Sequence, residues 1–241
     1  MDKQNVENLF DNISRRYDIA NYFTSLGIER YWRRKFSAHI SGSEKYVLDG
    51  CCGTGISTLN IVNKIKEKGA RVFGVDFSEE MLEVARRRLL KINLKSENKI
   101  NAEIEFKQGD VSDLNFKDNY FDIISIVFGI RNVINRGEAL KEFFRVAKPG
   151  GKLIIMEFNF PQKSFFRKLY SFYIDRVLVN IGGVITKNKK AYQYLVTTIK
   201  NFPPVEEFTS LITSAGWTNV KAEKLTLETC TIFSAEKSCN N

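Results

Sequence analysis

The chain has 241 residues, of which 43% are hydrophobic and 27% are charged, and this composition is that of an ordinary soluble protein with one sizeable core. Its formal net charge of +9 indicates attraction to nucleic acid, an acidic membrane surface or an anionic substrate, although a solvated surface rich in lysine explains it equally well. The sequence has no apolar run of about 18 residues and no signal peptide, so we expect a cytoplasmic protein rather than a secreted or membrane-spanning one.

The cysteine and histidine content argues against a metal centre. The four cysteines lack the paired spacing of a zinc site, and a reducing compartment is the simplest inference from their positions: Cys51, Cys52, Cys230 and Cys239. The one histidine of the sequence, His39, has no ligand residues near it in the chain. We therefore expect no bound metal.

Residues 1–43 are predicted to form amphipathic helices ahead of the first strand. Apolar side chains recur there at helical spacing in two sets: Val6, Leu9, Phe10 and Ile13, then Ile28, Trp32, Phe36 and Ile40. The stretch from Tyr17 to Trp32 mixes aromatic and polar residues too closely for a plain core stripe. We expect it to line a pocket.

A glycine loop follows the first predicted strand. Apolar residues 46–48 lead into Asp49 and then into Gly53-Thr54-Gly55, after which residues 56–68 predict a helix. The glycines let the backbone turn sharply and approach a ligand, and the start of the helix presents unpaired N–H groups to it. This succession of strand, loop and helix predicts a site for a small polar cofactor.

The residues after the loop distinguish two kinds of cofactor site. A dinucleotide fingerprint needs a third glycine where this chain has Thr58, which weakens that interpretation. A second apolar strand, residues 71–75, ends in Asp76, whose carboxylate can accept hydrogen bonds from both hydroxyls of a ribose. Glycines in turns often serve only the turn, but Asp49, the glycine loop and Asp76 together resemble the S-adenosylmethionine site of class I methyltransferases.

Strands and helices alternate along the next part of the chain. Ser78 is placed to cap a helix that runs to about Asn93. Further strands are predicted at 103–107, 121–127 and 152–158, with a helix at 138–146 and a turn at 148–151. Five strands in this arrangement indicate a doubly wound, mostly parallel α/β sheet.

Residues 159–201 break this alternation. From 165 to 181 the polar stripe is narrow, so we expect a helix that buries most of its circumference. Three interpretations are open: packing against the sheet, a lid over an apolar substrate, or contact with a membrane interface. Beyond the insertion, residues 205–215 predict a helix, and residues 217–222 and 229–235 predict the last two strands.

Three segments carry a closer resemblance. They are Tyr17-Asp18 with Asn21 and Trp32, the run Phe128-Gly-Ile-Arg-Asn-Val133, and the run Arg145-Val-Ala-Lys-Pro-Gly-Gly151 leading to Glu157. With them the chain resembles, from Val6 to Ala235, the ubiquinone/menaquinone biosynthesis C-methyltransferase family of the UbiE type. The resemblance implies a class I S-adenosylmethionine-dependent methyltransferase fold, with a seven-stranded sheet, N-terminal helices and a helical insertion after strand 5. It implies one domain over 1–241, made of a helical cap (1–43), a cofactor-binding core (44–158), the insertion (159–201) and a C-terminal part (202–241).

The resemblance also implies site residues. Thr54, Asp76 and the pair Asp110-Val111 fall where the family contacts S-adenosylmethionine, in agreement with the pocket inferred from the loop. The expected cofactor-binding set is Asp49, Gly53, Thr54, Gly55, Asp76, Asp110 and Val111. The chain departs from the family at four positions outside the glycine loop: Ala20, Glu29, Val127 and Asn159.

The implied reaction is attack by a ring carbon of a reduced prenylated quinone on the sulfonium methyl group, as in the step from demethylmenaquinol to menaquinol or the equivalent ubiquinone step. The attacking quinol must lose a phenolic proton or nearly so, and an unperturbed phenol has a pKa of about 10. A cation beside the forming phenolate lowers that barrier, and Arg131 is the candidate. Asn132 and Tyr17 are candidates to orient the ring oxygens.

Two rival functions stay open on sequence grounds: a methyltransferase for another lipid or a small phenol, and a non-catalytic binding module that kept the fold. We expect no nucleic-acid partner, because the loop and Asp76 are intact. The positive charge and the aromatic stretch 165–173 predict peripheral contact with the inner face of the membrane. A homodimer is left open.

Overall fold

The computed structural model describes residue 11 and residues 27–95, 102–186 and 188–239. Most of the predicted N-terminal cap lies outside the described residues, and so does Tyr17, a candidate for orienting the substrate ring. The helix predicted from Ile28 onward is present as α1, Ile28–Ser37, in which Trp32 and Phe36 are buried.

The centre of the molecule is a seven-stranded sheet in the order β3, β2, β1, β4, β5, β7, β6, in which β7 runs antiparallel to the other six strands. The predicted mostly parallel sheet is confirmed, with every predicted strand present. The strands are β1 Tyr46–Gly50, β2 Ala70–Asp76, β3 Ala102–Gln108, β4 Phe121–Val127, β5 Ala147–Phe158, β6 Thr218–Leu225 and β7 Cys230–Glu236.

The central strands are largely apolar because both faces of the sheet are covered. Successive side chains point to opposite faces, so Leu48 and Ile124 pack into one core while Val47 and Ile123 pack into the other. All four are almost completely buried. Each such side chain stabilises the fold by about 1.5–3 kcal/mol relative to leaving it exposed.

Helices cover both faces and form the insertion. Trp32 of α1 belongs to the core on the Val47 face, and Phe143 belongs to the core on the Leu48 face. Ser78 caps the third helix as predicted, since its Oγ accepts the Met81 N–H at 3.1 Å. The remaining helices are α2 Ile56–Val62, α3 Glu79–Lys95, α4 Arg136–Val146, α5 Ser164–Phe172, α6 Val179–Thr186, α7 Lys189–Lys200 and α8 Val205–Ser214.

Helix α2 ends at Val62, although the pattern predicted a helix to residue 68. The Lys66 and Glu67 N–H groups both donate to the Gly42 carbonyl, at 2.8 and 3.2 Å, instead of continuing the helix. A contact with a distant residue therefore overrides local propensity at this end.

Two further boundaries differ from the prediction near the last strands. Trp217 was placed in a strand, but it is buried before β6 begins, and its indole N–H donates to the Leu140 carbonyl at 3.0 Å. The predicted turn at residues 148–151 lies within β5, which therefore begins at Ala147 rather than at 152, and the pairing of β4 with β5 shifts register there. The Gly150 N–H donates to the Lys237 carbonyl at 2.8 Å, so the segment is held by the chain that follows β7.

The insertion is a helical layer with its own small core. Helix α5 continues through a π-helical segment, Tyr173–Leu178, into α6, and α7 packs back against them. The prediction that this helix buries most of its circumference is wrong, because only one side packs. The buried side belongs to a cluster formed by Ile174, Leu178, Val179, Ala191, Tyr192 and Val196.

The other side of α5 carries apolar side chains that remain exposed. Phe165, Leu169 and Phe172 are 73%, 58% and 65% exposed. Their spacing of four and then three residues places them on one helical face. The described part of the chain contains no helix with the length and apolar character needed to cross a bilayer.

Candidate active site

The glycine loop between β1 and α2 is held in a tight turn by backbone conformations that favour glycine. Gly53 and Gly55 have positive φ values of 54° and 76°. A Cβ on Gly55 would lie 2.9 Å from the Cβ of Ala85 in α3, whereas a Cβ on Gly53 would meet nothing within 4 Å. Glycine is therefore needed at position 55 for two reasons: the positive φ of its backbone and the close approach of α3.

Asp49 lies beneath the loop and is fully buried. Its carboxylate accepts hydrogen bonds from Ser57 Oγ at 2.8 Å, Thr58 Oγ1 at 2.7 Å and Ser125 Oγ at 2.8 Å. Burial raises the pKa of Asp49, and these hydroxyl groups oppose the rise. The carboxylate therefore ties the loop to α2 and β4 rather than facing a ligand.

Asp76 stands at the end of β2 with its carboxylate at the loop. Its Oδ2 accepts the Gly53 N–H at 2.8 Å and its Oδ1 accepts the Ser78 N–H at 3.0 Å. Burial raises the pKa of Asp76 to about 6, against the effect of these hydrogen bonds. Two backbone donors thus fix the orientation of this carboxylate.

A cavity of about 270 Å³ opens above the loop, and we call it the loop cavity. The carboxyl ends of β1, β2 and β4 and the segment after β3 supply most of its wall, as expected for a doubly wound sheet. Asp49, Gly55 and Arg131 do not line it. The predicted residues that do line it are Gly53, Thr54, Asp76, Asp110, Val111 and Asn132.

The loop cavity is electrostatically negative. The pKa of the Cys51 thiol, at its wall, is raised well above the ordinary value, first by burial and then by four nearby carboxylates. These carboxylates are Asp76, Asp49, Glu157 and Asp110. Such a field favours a ligand that carries positive charge.

A second cavity of about 330 Å³ adjoins the first, and we call it the apolar cavity. Five parts of the chain that are distant in sequence form it: the start of α1, the segment after β4, the end of β5, the insertion, and the turn between β6 and β7. Burial raises the pKa of Tyr170, one of its lining residues. Its lining includes Ile28, Trp32, Phe158, Phe166, Leu169, Tyr170, Tyr173, Leu178, Leu195 and Leu227.

Phe128 lines both cavities and forms the wall between them. Its φ of 58° is unusual for a bulky residue and costs about 1–3 kcal/mol. Its ring stacks on Phe158 with centroids 4.3 Å apart and meets the Trp32 edge at 6.0 Å. The packing of this ring therefore holds a thin partition between the two cavities in place, despite the cost of its backbone conformation.

Arg131, the predicted catalytic cation, lies in a buried ion pair that the sequence analysis missed. Its Nη1 donates to Glu157 Oε1 at 2.8 Å and to the Phe128 carbonyl, and its backbone N–H donates to Glu157 Oε2 at 3.1 Å. The side chains are 1% and 0% exposed. Of the pair, Arg131 lines the apolar cavity and Glu157 lies behind it. The signal that could have identified Glu157 is its position at the carboxyl end of an apolar central strand.

Asn132 and Arg33 both face the loop cavity. Asn132, predicted to orient the ring oxygens of the substrate, instead lies on the side of the glycine loop. Its Oδ1 is buried and accepts no hydrogen bond from the described residues. Arg33 projects from α1 into the same cavity, and sequence reasoning did not single it out.

Comparison with known proteins places this chain in a family. The model of the ubiE/COQ5 methyltransferase family matches residues 1–237. A Rickettsia felis protein named ubiquinone/menaquinone biosynthesis C-methyltransferase UbiE is 36% identical over 234 residues, 96% of this chain and 92% of that protein. A Bacteroides fragilis protein named demethylmenaquinone methyltransferase is 34% identical over 235 residues, 97% and 93% of the two chains.

Solved structures agree with this at the level of the fold. A SAM-dependent methyltransferase from Thermotoga maritima, described as a possible histamine N-methyltransferase, has a TM-score of 0.61 and 20% identity over 96% of this chain and 99% of that chain. Phosphoethanolamine N-methyltransferase 2 of Haemonchus contortus, in complex with S-adenosyl-L-methionine, has a TM-score of 0.59 and 16% identity over 86% and 52%. Together with the family match over nearly the whole sequence, they lead to one conclusion: this chain belongs to the ubiE/COQ5 methyltransferase family.

Proposed function

We propose that this protein transfers a methyl group from S-adenosylmethionine to a ring carbon of a reduced prenylated quinone, converting demethylmenaquinol to menaquinol or carrying out the equivalent ubiquinone step. Membership of the family makes it a methyltransferase whose methyl donor is S-adenosylmethionine. The names of the relatives support a quinone acceptor. The observation that carries the proposal is the pair of adjoining cavities, one negative and one apolar, that share Phe128.

The residues of the loop cavity fit S-adenosylmethionine. Asp76 is a buried carboxylate held by two backbone donors, and it can accept hydrogen bonds from the ribose hydroxyls. Asp110 and Val111 would contact the adenine, with Gly53 and Thr54 at the loop. Asp49 contributes indirectly, by fixing the loop. When bound, the cofactor supplies an electrophilic methyl group on a positively charged sulfur, which suits the negative field of the cavity.

The apolar cavity suits the quinol ring. Aromatic and aliphatic side chains form most of its wall, so they exclude water and can pack against a flat ring. Arg131 presents the cationic side of its ion pair to this cavity, so it can stabilise negative charge that develops on a quinol oxygen. Glu157 balances that charge from behind and holds the guanidinium in place.

The mouth of the apolar cavity suits a prenyl tail that extends into a lipid bilayer. Ile28, Leu169 and Leu227 line the cavity and are also exposed, so they form its rim. Phe165 and Phe172 extend this apolar rim along α5. A face of this kind on a protein with a net charge of +9 supports the proposal of reversible contact with an anionic membrane, and we propose the inner face of the membrane as the site of that contact.

Incubation with S-adenosylmethionine labelled in its methyl group tests the proposal. The acceptors are reduced demethylated prenylated naphthoquinones and benzoquinones, a small phenol, and phospholipids. We expect label in a prenylated quinol and none in the matched oxidised quinone, because only the reduced ring carries a phenolic oxygen that activates the attacking carbon. Label in the phospholipid or the small phenol alone would favour a different acceptor and would refute the quinol assignment.

A further inference from the structure

The side chain of Arg33 connects the two cavities. Its Nε and Nη2 contact Glu29 Oε1 at 2.6 and 2.5 Å. Glu29 lines the apolar cavity, whereas Arg33 lines the loop cavity. The guanidinium carbon lies 5.9 Å from the ring centroid of Phe128, the shared wall. Two of the three guanidinium nitrogens are therefore held by a neighbour on the same helix, and this fixes the direction of the third.

The third nitrogen, Nη1, is buried and has no hydrogen-bond partner among the described residues. A buried donor on a charged group is costly to leave unsatisfied, so such a donor at a cavity wall is a candidate ligand contact. The remaining Arg33 nitrogens cannot turn towards the cavity without breaking the contact with Glu29. Nη1 is thus the donor that a ligand in the loop cavity would meet.

The charges of the loop cavity indicate what that ligand group is. Among the described residues that line the cavity, Arg33 is the only cationic side chain, and Asp76 and Asp110 are acidic. S-adenosylmethionine carries a sulfonium and an ammonium group, and both suit the acidic side chains of the cavity. It also carries one carboxylate group, which these acidic side chains would repel. A positively charged donor suits that carboxylate, and guanidinium binds carboxylates well because its N–H groups match their geometry.

We propose that Arg33 binds the carboxylate of the methionine part of S-adenosylmethionine, and that Glu29 acts as a positioning residue for its guanidinium. This inference rests on the proposed function for the identity of the ligand. It agrees with the other assignments in the cavity, in which Asp76 binds the ribose and Asp110 with Val111 contacts the adenine. These assignments leave the part of the cavity beside Arg33 for the amino-acid part of the cofactor.

Isothermal titration calorimetry with two ligands tests the inference. S-adenosylhomocysteine carries the carboxylate, and 5′-methylthioadenosine has the same nucleoside without the amino-acid part. For Arg33→Ala we expect affinity for S-adenosylhomocysteine to fall by about 10- to 100-fold, the range of a lost charge-assisted hydrogen bond, with affinity for 5′-methylthioadenosine unchanged within about twofold. Arg33→Lys should recover part of the loss, since it keeps the charge.

The matched control is Arg34→Ala, which removes an exposed arginine from the same helix and should change neither affinity. Unchanged 5′-methylthioadenosine binding also shows that Arg33→Ala is folded. Equal loss for both ligands would assign Arg33 a structural role, and loss for neither would exclude the carboxylate contact; either result overturns the inference. Because the measurement needs no methyl acceptor, it is independent of whether the acceptor is a quinol.

Discussion

The two cavities differ in how the chain builds them. The loop cavity is formed largely at strand ends, where Asp76 and Phe128 lie next to β2 and β4. The apolar cavity is assembled from residues as distant in sequence as Ile28, Tyr170 and Leu227. The first follows from the topology of the sheet, and the second depends on how the insertion packs. Under the proposed function, the methyl donor binds at the strand ends of the sheet, and the acceptor is recognised by the elements added to the sheet.

Of the variants that separate the two cavities, one at Arg131 is expected to have the largest effect on stability. We expect Arg131→Met to lower the free energy of unfolding by about 3–5 kcal/mol, because it leaves Glu157 as an uncompensated buried charge. Urea denaturation measures the change. The double variant Arg131→Met with Glu157→Gln is the control and should recover most of the stability. If the single variant were as stable as the parent protein, the ion pair would not be buried as described.

The loop itself is tested by two glycines with similar backbone conformations. Gly55→Ala should lower the free energy of unfolding more than Gly53→Ala, by about 1–3 kcal/mol, because only at Gly55 does the new methyl group collide with α3. Gly53→Ala serves as the control for the cost of positive φ alone. Equal losses in thermal unfolding would show that close packing against Ala85 does not constrain the loop.

The charge on Asp76 is expected to govern cofactor affinity. Asp76→Ala should weaken S-adenosylhomocysteine binding by about 1–3 kcal/mol, since ribose hydroxyls lose their acceptor. Burial raises the pKa of this carboxyl group to about 6, so its ionised form predominates above that pH. Affinity in the parent protein should therefore fall about tenfold between pH 8 and pH 5.

Calorimetry at several pH values measures both effects of Asp76. Asp76→Asn is the matched control, because it keeps the shape and removes the titration, and its affinity should vary little over the same range. A parent protein whose affinity stays constant down to pH 5 would contradict the assignment of Asp76 to the ribose.

The smallest expected effect lies at the rim of the apolar cavity. The parent protein should cosediment with anionic liposomes at low salt and less so at high salt, since salt screens the basic surface. Replacing Phe165, Leu169 and Phe172 together by serine should weaken binding by at least about tenfold, because their apolar area no longer enters the interface.

Val184→Ser is the control for the liposome experiment. Val184 is an exposed apolar residue of α6 that does not line the apolar cavity. If this variant lost binding as strongly as the triple variant, contact would not be centred on the cavity mouth. A parent protein that stays in the supernatant at low salt would refute membrane contact.

Features near strand ends could be predicted from the sequence because they follow local rules. An apolar run that ends in Asp76, and glycines with the spacing of a tight turn, identify the loop cavity without knowledge of distant contacts. The limits of β4 were predicted to the residue, since its run is nearly continuous in apolar residues and is covered on both faces. The sequence could therefore predict the sheet and those parts of the loop cavity's wall that lie in the glycine loop and at the end of β2.

Features that depend on a distant partner could not be predicted. Arg131 looked like a lone cation because Glu157 lies 26 residues away. Asp49 looked like a ligand contact because its three hydroxyl partners come from two other elements. The exposed face of α5 was predicted to be buried, since apolar residues are ordinarily covered, and a cavity mouth is an exception that only the assembled structure reveals.

We propose that the methyl donor and the acceptor occupy separate, adjoining cavities. Titration of S-adenosylhomocysteine into protein saturated with a short-chain demethylated naphthoquinone tests this arrangement. We expect both ligands to bind at once, with the affinity for S-adenosylhomocysteine unchanged within about threefold or increased. Competition, with the apparent affinity falling in proportion to the quinone concentration, would place both ligands in one cavity and would contradict the account.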